Sequence, residues 1–194
     1  MPPGTRTLFY SQGTIMNLIL VNAPIDDQTV ESLHRGDEVL LSGTIYTARD
    51  AAHKRLCALI AENKPLPLNL NSQVLYFVGP SPAKPGHVIG SAGPTTSGRM
   101  DAYSPILLEK AGLKAMIGKG DRNESVIASM IKYRAVYFAA TGGAAVLLSR
   151  CIKKSTLVCF EDLGPEAIFE LTVEKMPLVV AIDCFGNNIY SRLK

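Results

Sequence analysis

Apolar runs of strand length alternate with amphipathic stretches of helical period along most of the chain, and no repeat or charge block interrupts them. That alternation predicts an α/β protein, a single layered domain with mainly parallel pairing in the middle of its sheet. The second observation is bulk composition. With 194 residues, 47% of them apolar and 19% charged, the chain is long enough for one domain with its own core and too apolar to stay disordered.

Residues 1–15 show no periodicity, and a regular pattern begins only near Met16. Residues 1–17 are therefore expected to be an extension, with Met16 a candidate original start, and residues 18–194 the domain. NLILV reads as the first short strand, and Asp26 or Asp27 can cap a short helix through Val30 and Leu33 that ends at Gly36. EVLLSGTIY is a strand in which Gly43 marks a bulge or a close backbone approach. Ala52, Leu56, Leu59 and Ile60 then fall at i, i+4, i+7 and i+8, which predicts an amphipathic helix over about 50–61.

NKPLPLNLNS is a loop and QVLYFVG a strand. Residues 79–98 are rich in Gly, Pro and Ser, with only HVI fit for a strand, and a connection of that length inside a compact domain is usually functional or disordered. Beyond it come a helix over about 100–111, the strand LKAMIG, a helix over 123–133, the strand AVYFAA and a helix opened by Gly142 and Gly143. The strand STLVCF, a short helix or turn near 164–166, and two strands, AIFELTV and LVVAID, complete the pattern.

Several functional classes are disfavoured. The net charge is only +3, and the basic residues are interleaved with acids rather than gathered into the stripe a nucleic-acid binder needs. No apolar run reaches the roughly 18 to 20 residues that cross a bilayer, and the opening residues lack the pattern of a secretory signal. Cys57, Cys151, Cys159 and Cys184 fit neither a disulfide framework nor CxxC metal spacing, so they are expected to be buried packing residues of a reducing, cytoplasmic protein. His53 is expected on a partly exposed helix surface, and His34 and His87 in loops or at termini.

The most informative segment is GPTTSGRMD, residues 93–101. It reads as a loop running into a helix, with the hydroxyls of Thr95, Thr96 and Ser97, free backbone N–H groups, and Arg99 in the first turn as a bidentate clamp for carboxylate or phosphate. A plain N-cap turn with a surface Arg has the same pattern. A nucleotide P-loop does not fit, because Arg99 stands where that motif has Lys and Met100 where it has a Mg²⁺-binding hydroxyl. Arg49 and Lys119 also follow strands, Lys119 between two glycines. Each alone reads as a solvated charge, but ligands of open α/β sheets collect outside the carboxyl ends of strands, so the three cations together fit a small polyanion.

GTIYTARDAAHKRL, GPTTSGRMD, IGKG, ATGGAAVL and EDLGPEAIFELTVEKMPLVVAIDCFGNN occur in the order seen in one family. Over residues 18–190 the chain resembles the β subunit, or C-terminal domain, of the class I iron–sulfur fumarate hydratases, with tartrate dehydratase β subunits as close relatives. The resemblance implies a swivelling β/β/α domain that closes over a cluster-bearing α subunit in a hetero-oligomer, and reversible hydration of fumarate to (S)-malate. It implies Thr95 as the base exchanging a proton with C3 of malate, and Arg49, Arg99 and Lys119 as the holders of the two substrate carboxylates. The carboxylate coupled to Thr95 is implied to lie on the partner; Asp101 reads locally as a first-turn residue favouring the helix dipole. One iron of a [4Fe–4S] cluster is implied as Lewis acid, ligated by the partner and not by this chain. A tartrate dehydratase β subunit and, from another class, a non-catalytic anion-binding or regulatory module are the alternatives.

Overall fold

The computed structural model describes residues 6–11, 14–81, 86, 88–140 and 145–193. Eight strands form one mixed sheet: β1 (Arg6–Ser11), β2 (Thr14–Ala23), β3 (Glu38–Thr47), β4 (Val74–Tyr76), β5 (Ala115–Gly118), β6 (Val136–Ala139), β7 (Ile152–Cys159) and β8 (Ile168–Ile182). Their order is β1-β2-β3-β4-β5-β6-β8-β7, and β8 also pairs with β3, so β3, β4, β5, β6 and β8 close into a barrel-like ring. From β2 to β6 every pairing is parallel; β8 runs antiparallel to β3, β6 and β7. The helices are α1 (Asp27–Ser32), α2 (Asp50–Ala61), α3 (Ser104–Ala111), α4 (Glu124–Tyr133) and α5 (Ala145–Cys151).

Alternation along the short parallel strands explains the layers. Val74, Tyr76, Ala115, Ile117, Val136 and Phe138 point into one apolar cluster with residues of β2, β3 and β8. Leu75, Phe77, Met116 and Tyr137 point the opposite way, into a second cluster with Leu56 of α2, Leu107 and Leu108 of α3, and Val126 and Met130 of α4. Both faces of β4 and β5 are thus buried, the usual condition of parallel strands flanked by helices.

The sheet begins earlier than the patterning indicated, since the unpatterned first segment includes β1, an antiparallel partner of β2. Asp26 caps α1 as expected, its carboxylate accepting the Thr29 N–H at 2.8 Å, but the helix ends at Ser32 and Gly36 (φ +86°) lies in the following turn. Gly43 is a close approach: a side chain there would strike the backbone of Ala23. The expected helix over 100–111 is instead a 3₁₀ turn, Ser97–Met100, followed by α3.

AIFELTV and LVVAID form one strand, not two. The polar EKMP between them reads as a turn, but Lys175 takes a left-handed conformation (φ 48°) opposite a register shift at Leu41–Gly43, and its N–H donates to Ser42 Oγ at 3.0 Å. A bulge absorbs the turn signal and the strand continues. HVI forms no strand among its described residues, and Gly142, Gly143 and His87 lie outside the described residues.

Candidate active site

The carboxyl ends of β3, β4 and β5 lie side by side. The Ala48 N–H donates to Tyr76 O at 3.1 Å and the Phe77 N–H to Ile117 O at 2.9 Å, so the chain leaves all three strands at one level. Arg49 follows β3 at the N-cap of α2, Gly79 lies beyond β4, and Lys119 follows β5.

Residues 95–97 return to the sheet between the ends of β4 and β5. The Thr95 N–H donates to Phe77 O at 2.8 Å and the Ser97 N–H to Lys119 O at 2.9 Å, with Thr96 and Lys119 paired as an isolated parallel bridge. Ser97 Oγ, fully buried, accepts the Lys119 N–H at 2.9 Å and sits 2.9 Å from the Tyr137 hydroxyl, itself 2.9 Å from Gly120 O. If the Tyr137 proton goes to that carbonyl, Ser97 donates to Tyr137 and all three groups are satisfied. Gly118 leaves the room Ser97 needs, since a Cβ there would overlap Ser97 Oγ.

Two sequence expectations change here. The N–H groups of Thr95 and Ser97 are engaged rather than free, and Arg99 sits in the 3₁₀ turn instead of the first turn of an α-helix. The segment therefore offers side-chain cations rather than a free helix N-terminus.

The cations are held differently. Arg49 Nη2 lies 3.4 Å from Glu166 Oε1, and the Arg49 side chain rests on Gly79, where a Cβ would come within 2.9 Å of Nη1. Arg99 Nε donates to Asp50 Oδ1 at 3.0 Å with its side chain 54% exposed. Lys119 is exposed and makes no ion pair among the described residues. Thr95 is half-buried, tied by its own backbone to the same strand ends. The structure thus brings Arg49 and Arg99 together through Asp50 and Glu166, and Thr95 together with Lys119 through the sheet.

Beneath the loop lies a buried charge pair without a sequence signal. Arg122 donates from Nε to Asp101 Oδ1 at 2.6 Å and from Nη2 to Ser104 Oγ at 2.6 Å, and its guanidinium lies between the rings of Phe77 and Tyr137 at 5.2 and 5.1 Å. Asp101 Oδ2 accepts the Asn123 N–H at 2.8 Å. Asp101 therefore closes the 3₁₀ turn and locks it to the β5–α4 connection, rather than favouring the dipole of a helix first turn.

His53 is fully buried against Phe77, not on the surface as expected; its place three residues before Leu56, on the apolar stripe of α2, was the available signal. Nδ1 lies 2.9 Å from Arg49 O, so Nδ1 carries a proton and donates it there. Burial, with the Arg122 charge nearby, lowers its pKa from 6.5 to about 4. A neutral buried histidine stabilises the fold above pH 6.5, and that contribution is lost as pH falls toward 4, by up to about 3 kcal/mol. Urea unfolding at pH 7 and pH 4.5 is expected to show a larger loss for the wild type than for His53→Leu.

The four thiols are not gathered into one group among the described residues. Cys184 is buried and Cys57, Cys151 and Cys159 are half-buried, all four unpaired, and burial pushes every thiol up, Cys57 to about 11. No group of three or more His, Cys, Asp or Glu side chains is arranged to hold a metal among the described residues. A cluster needs convergent thiolates, so these residues do not fit one. A separate cavity of about 490 Å³ beside Val88, Leu157, Pro165 and Phe169 is mainly apolar and unsuited to an anion.

Fold and site define a mixed α/β domain in which Arg49, Thr95 and Lys119 stand at the carboxyl ends of adjacent parallel strands. The family model for the fumarase C-terminus matches residues 7–193, and the chain belongs to that family. It is 40% identical over 169 residues to a Methanocaldococcus jannaschii chain named as a proposed L(+)-tartrate dehydratase subunit beta, covering 84% of this chain and 87% of that one. It is 34% identical over 172 residues to fumarate hydratase 2 of Leishmania major, and 38% identical over 154 residues to the anaerobic class I fumarate hydratase of Escherichia coli K12. The matches cover 87% and 79% of this chain but only 30% and 28% of those enzymes.

Proposed function

We propose that this chain is the β subunit of a two-chain fumarate hydratase that interconverts fumarate and (S)-malate once joined to a cluster-bearing α subunit. The observation that supports this reading best is the convergence of Arg49, Lys119 and the Thr95–Arg99 segment on the ends of three adjacent strands. A dicarboxylate needs at least two cations, and the planar fork of Arg matches a carboxylate bidentately. In this reading Arg49, Arg99 and Lys119 hold the substrate carboxylates and Thr95 moves the proton at C3. An alcohol needs a coupled proton acceptor, and no carboxylate bonds to the Thr95 hydroxyl among the described residues, so that acceptor is assigned to the partner.

The [4Fe–4S] cluster is likewise assigned to the partner, because the cysteines here do not fit one. A swivelling β/β/α domain closing over the α subunit suits a site whose cations stand at an exposed edge. No helix among the described residues is long and apolar enough to cross a membrane, and a cytoplasmic location is part of the proposal.

The test is affinity purification of the tagged chain from its native cells, iron and sulfide analysis of each chain, and assay on fumarate, (S)-malate and L-tartrate. Iron confined to a second chain and turnover of malate are expected; iron on this chain would overturn the assignment. The tartrate alternative is supported by the 40% identity over 169 residues to the chain named as a tartrate dehydratase subunit beta. Strong preference for tartrate decides for it, while absence of any turnover leaves the non-catalytic anion-binding module. Arg99→Lys keeps the charge but loses the fork, and KM for the dicarboxylate is expected to rise roughly tenfold, corresponding to about 1.4 kcal/mol.

A further inference from the structure

We propose that Asp50 and Glu166 are positioning residues that aim Arg99 and Arg49 at the dicarboxylate, an inference that rests on the clamp reading above. Electrostatics alone would argue against carboxylates here. Each places a negative charge beside a cation meant for a dianion, weakening that cation's attraction for it.

Geometry supplies the compensation. Asp50 is the first residue of α2, so its backbone is fixed by the helix, and with Oδ1 on Arg99 Nε it leaves both terminal nitrogens of the guanidinium for an end-on pair of bonds to one carboxylate. Untethered, an Arg side chain 54% exposed would sample many rotamers, and ordering it would count against binding. The Asp50 side chain is 29% exposed, with Oδ2 buried and without a donor among the described residues.

Glu166 acts on Arg49 from the far side of the sequence. Its Oε2 accepts the Ala51 N–H at 2.9 Å, closing the N-terminus of α2, while Oε1 faces Arg49 Nη2. The 3₁₀ segment that carries it, Glu161–Glu166, is fastened to α2 a second time by Asp162, which takes both Arg55 terminal nitrogens at 2.7 Å. With Nη2 on Glu166, and Nη1 and Cδ packed over Gly79, the Arg49 guanidinium is held in one orientation at the strand ends.

Charge and orientation make opposite predictions. In the complete complex, Asp50→Asn removes a negative charge, so a purely electrostatic role lowers KM for malate or tartrate. A positioning role raises it, and we expect roughly a five- to tenfold rise with kcat changed less than twofold and thermal stability at the assay temperature maintained. The effect must pass through Arg99: in an Arg99→Lys background, Asp50→Asn is expected to add less than twofold. Glu166→Gln, which keeps an acceptor for Ala51, is expected to raise KM in the same direction. An unchanged or lowered KM in Asp50→Asn, while Arg99→Lys still raises it, overturns the positioning role and leaves the clamp intact. Failure of the wild-type complex to bind any dicarboxylate overturns both.

Discussion

Thr95→Ala is expected to lower kcat by about 10²- to 10⁴-fold, the range for loss of a general acid or base, while KM moves less than about threefold. The split follows from the division of labour proposed for the site. The hydroxyl handles the proton, and the carboxylates are held by groups on other positions. The loop should survive the change, because the position is fixed by its own N–H to Phe77 O and by the Ser97 and Lys119 bonds next to it. Thr95→Ser, which restores a hydroxyl, is expected to recover much of the rate. Steady-state kinetics, with exchange of the C3 hydrogen of malate against deuterated water, measures both; wild-type exchange in the alanine variant refutes the role.

Arg122→Met is expected to destabilise the protein by about 3–5 kcal/mol. The Arg122 side chain is fully buried and that of Asp101 is 9% exposed, so its loss leaves a buried carboxylate with the Asn123 N–H and no counter-charge. It also removes the group stacked between Phe77 and Tyr137, whose neighbours carry Thr95 and Ser97. Changing Asp101 to Leu in the same molecule removes the orphan charge, and part of the stability is expected to return. Urea unfolding of the single and double variants checks this; equal stability of Arg122→Met and wild type contradicts the account of the pair.

Period and punctuation carried most of the fold. The α2 helix follows its apolar spacing over Asp50–Ala61, and β5, α4 and β6 fall where the alternation of short apolar runs with a helical stretch over 123–133 places them. Tertiary contacts override the local signal at two places: the bulge at Lys175 turns an apparent break into one strand, and the insertion of Thr95–Ser97 between β4 and β5 replaces a helix start. Arg49, Thr95, Arg99 and Lys119 stand out in the sequence because each follows a strand or lies in a Gly-bounded loop. Asp50 and Glu166 do not, since partners 49 positions away for Asp50 and 115 for Glu166 leave no trace in local spacing. Arg122 sits in the polar run GDRNES, which resembles an ordinary surface loop.

The central claim is that the ends of β3, β4 and β5 form a clamp for a dicarboxylate. A crystal structure of the complete complex with (S)-malate tests it most directly. The account predicts malate carboxylate oxygens about 2.7–2.9 Å from nitrogens of Arg49, Arg99 and Lys119, with the Thr95 hydroxyl facing C3. Malate bound elsewhere, with these four residues untouched, would contradict it.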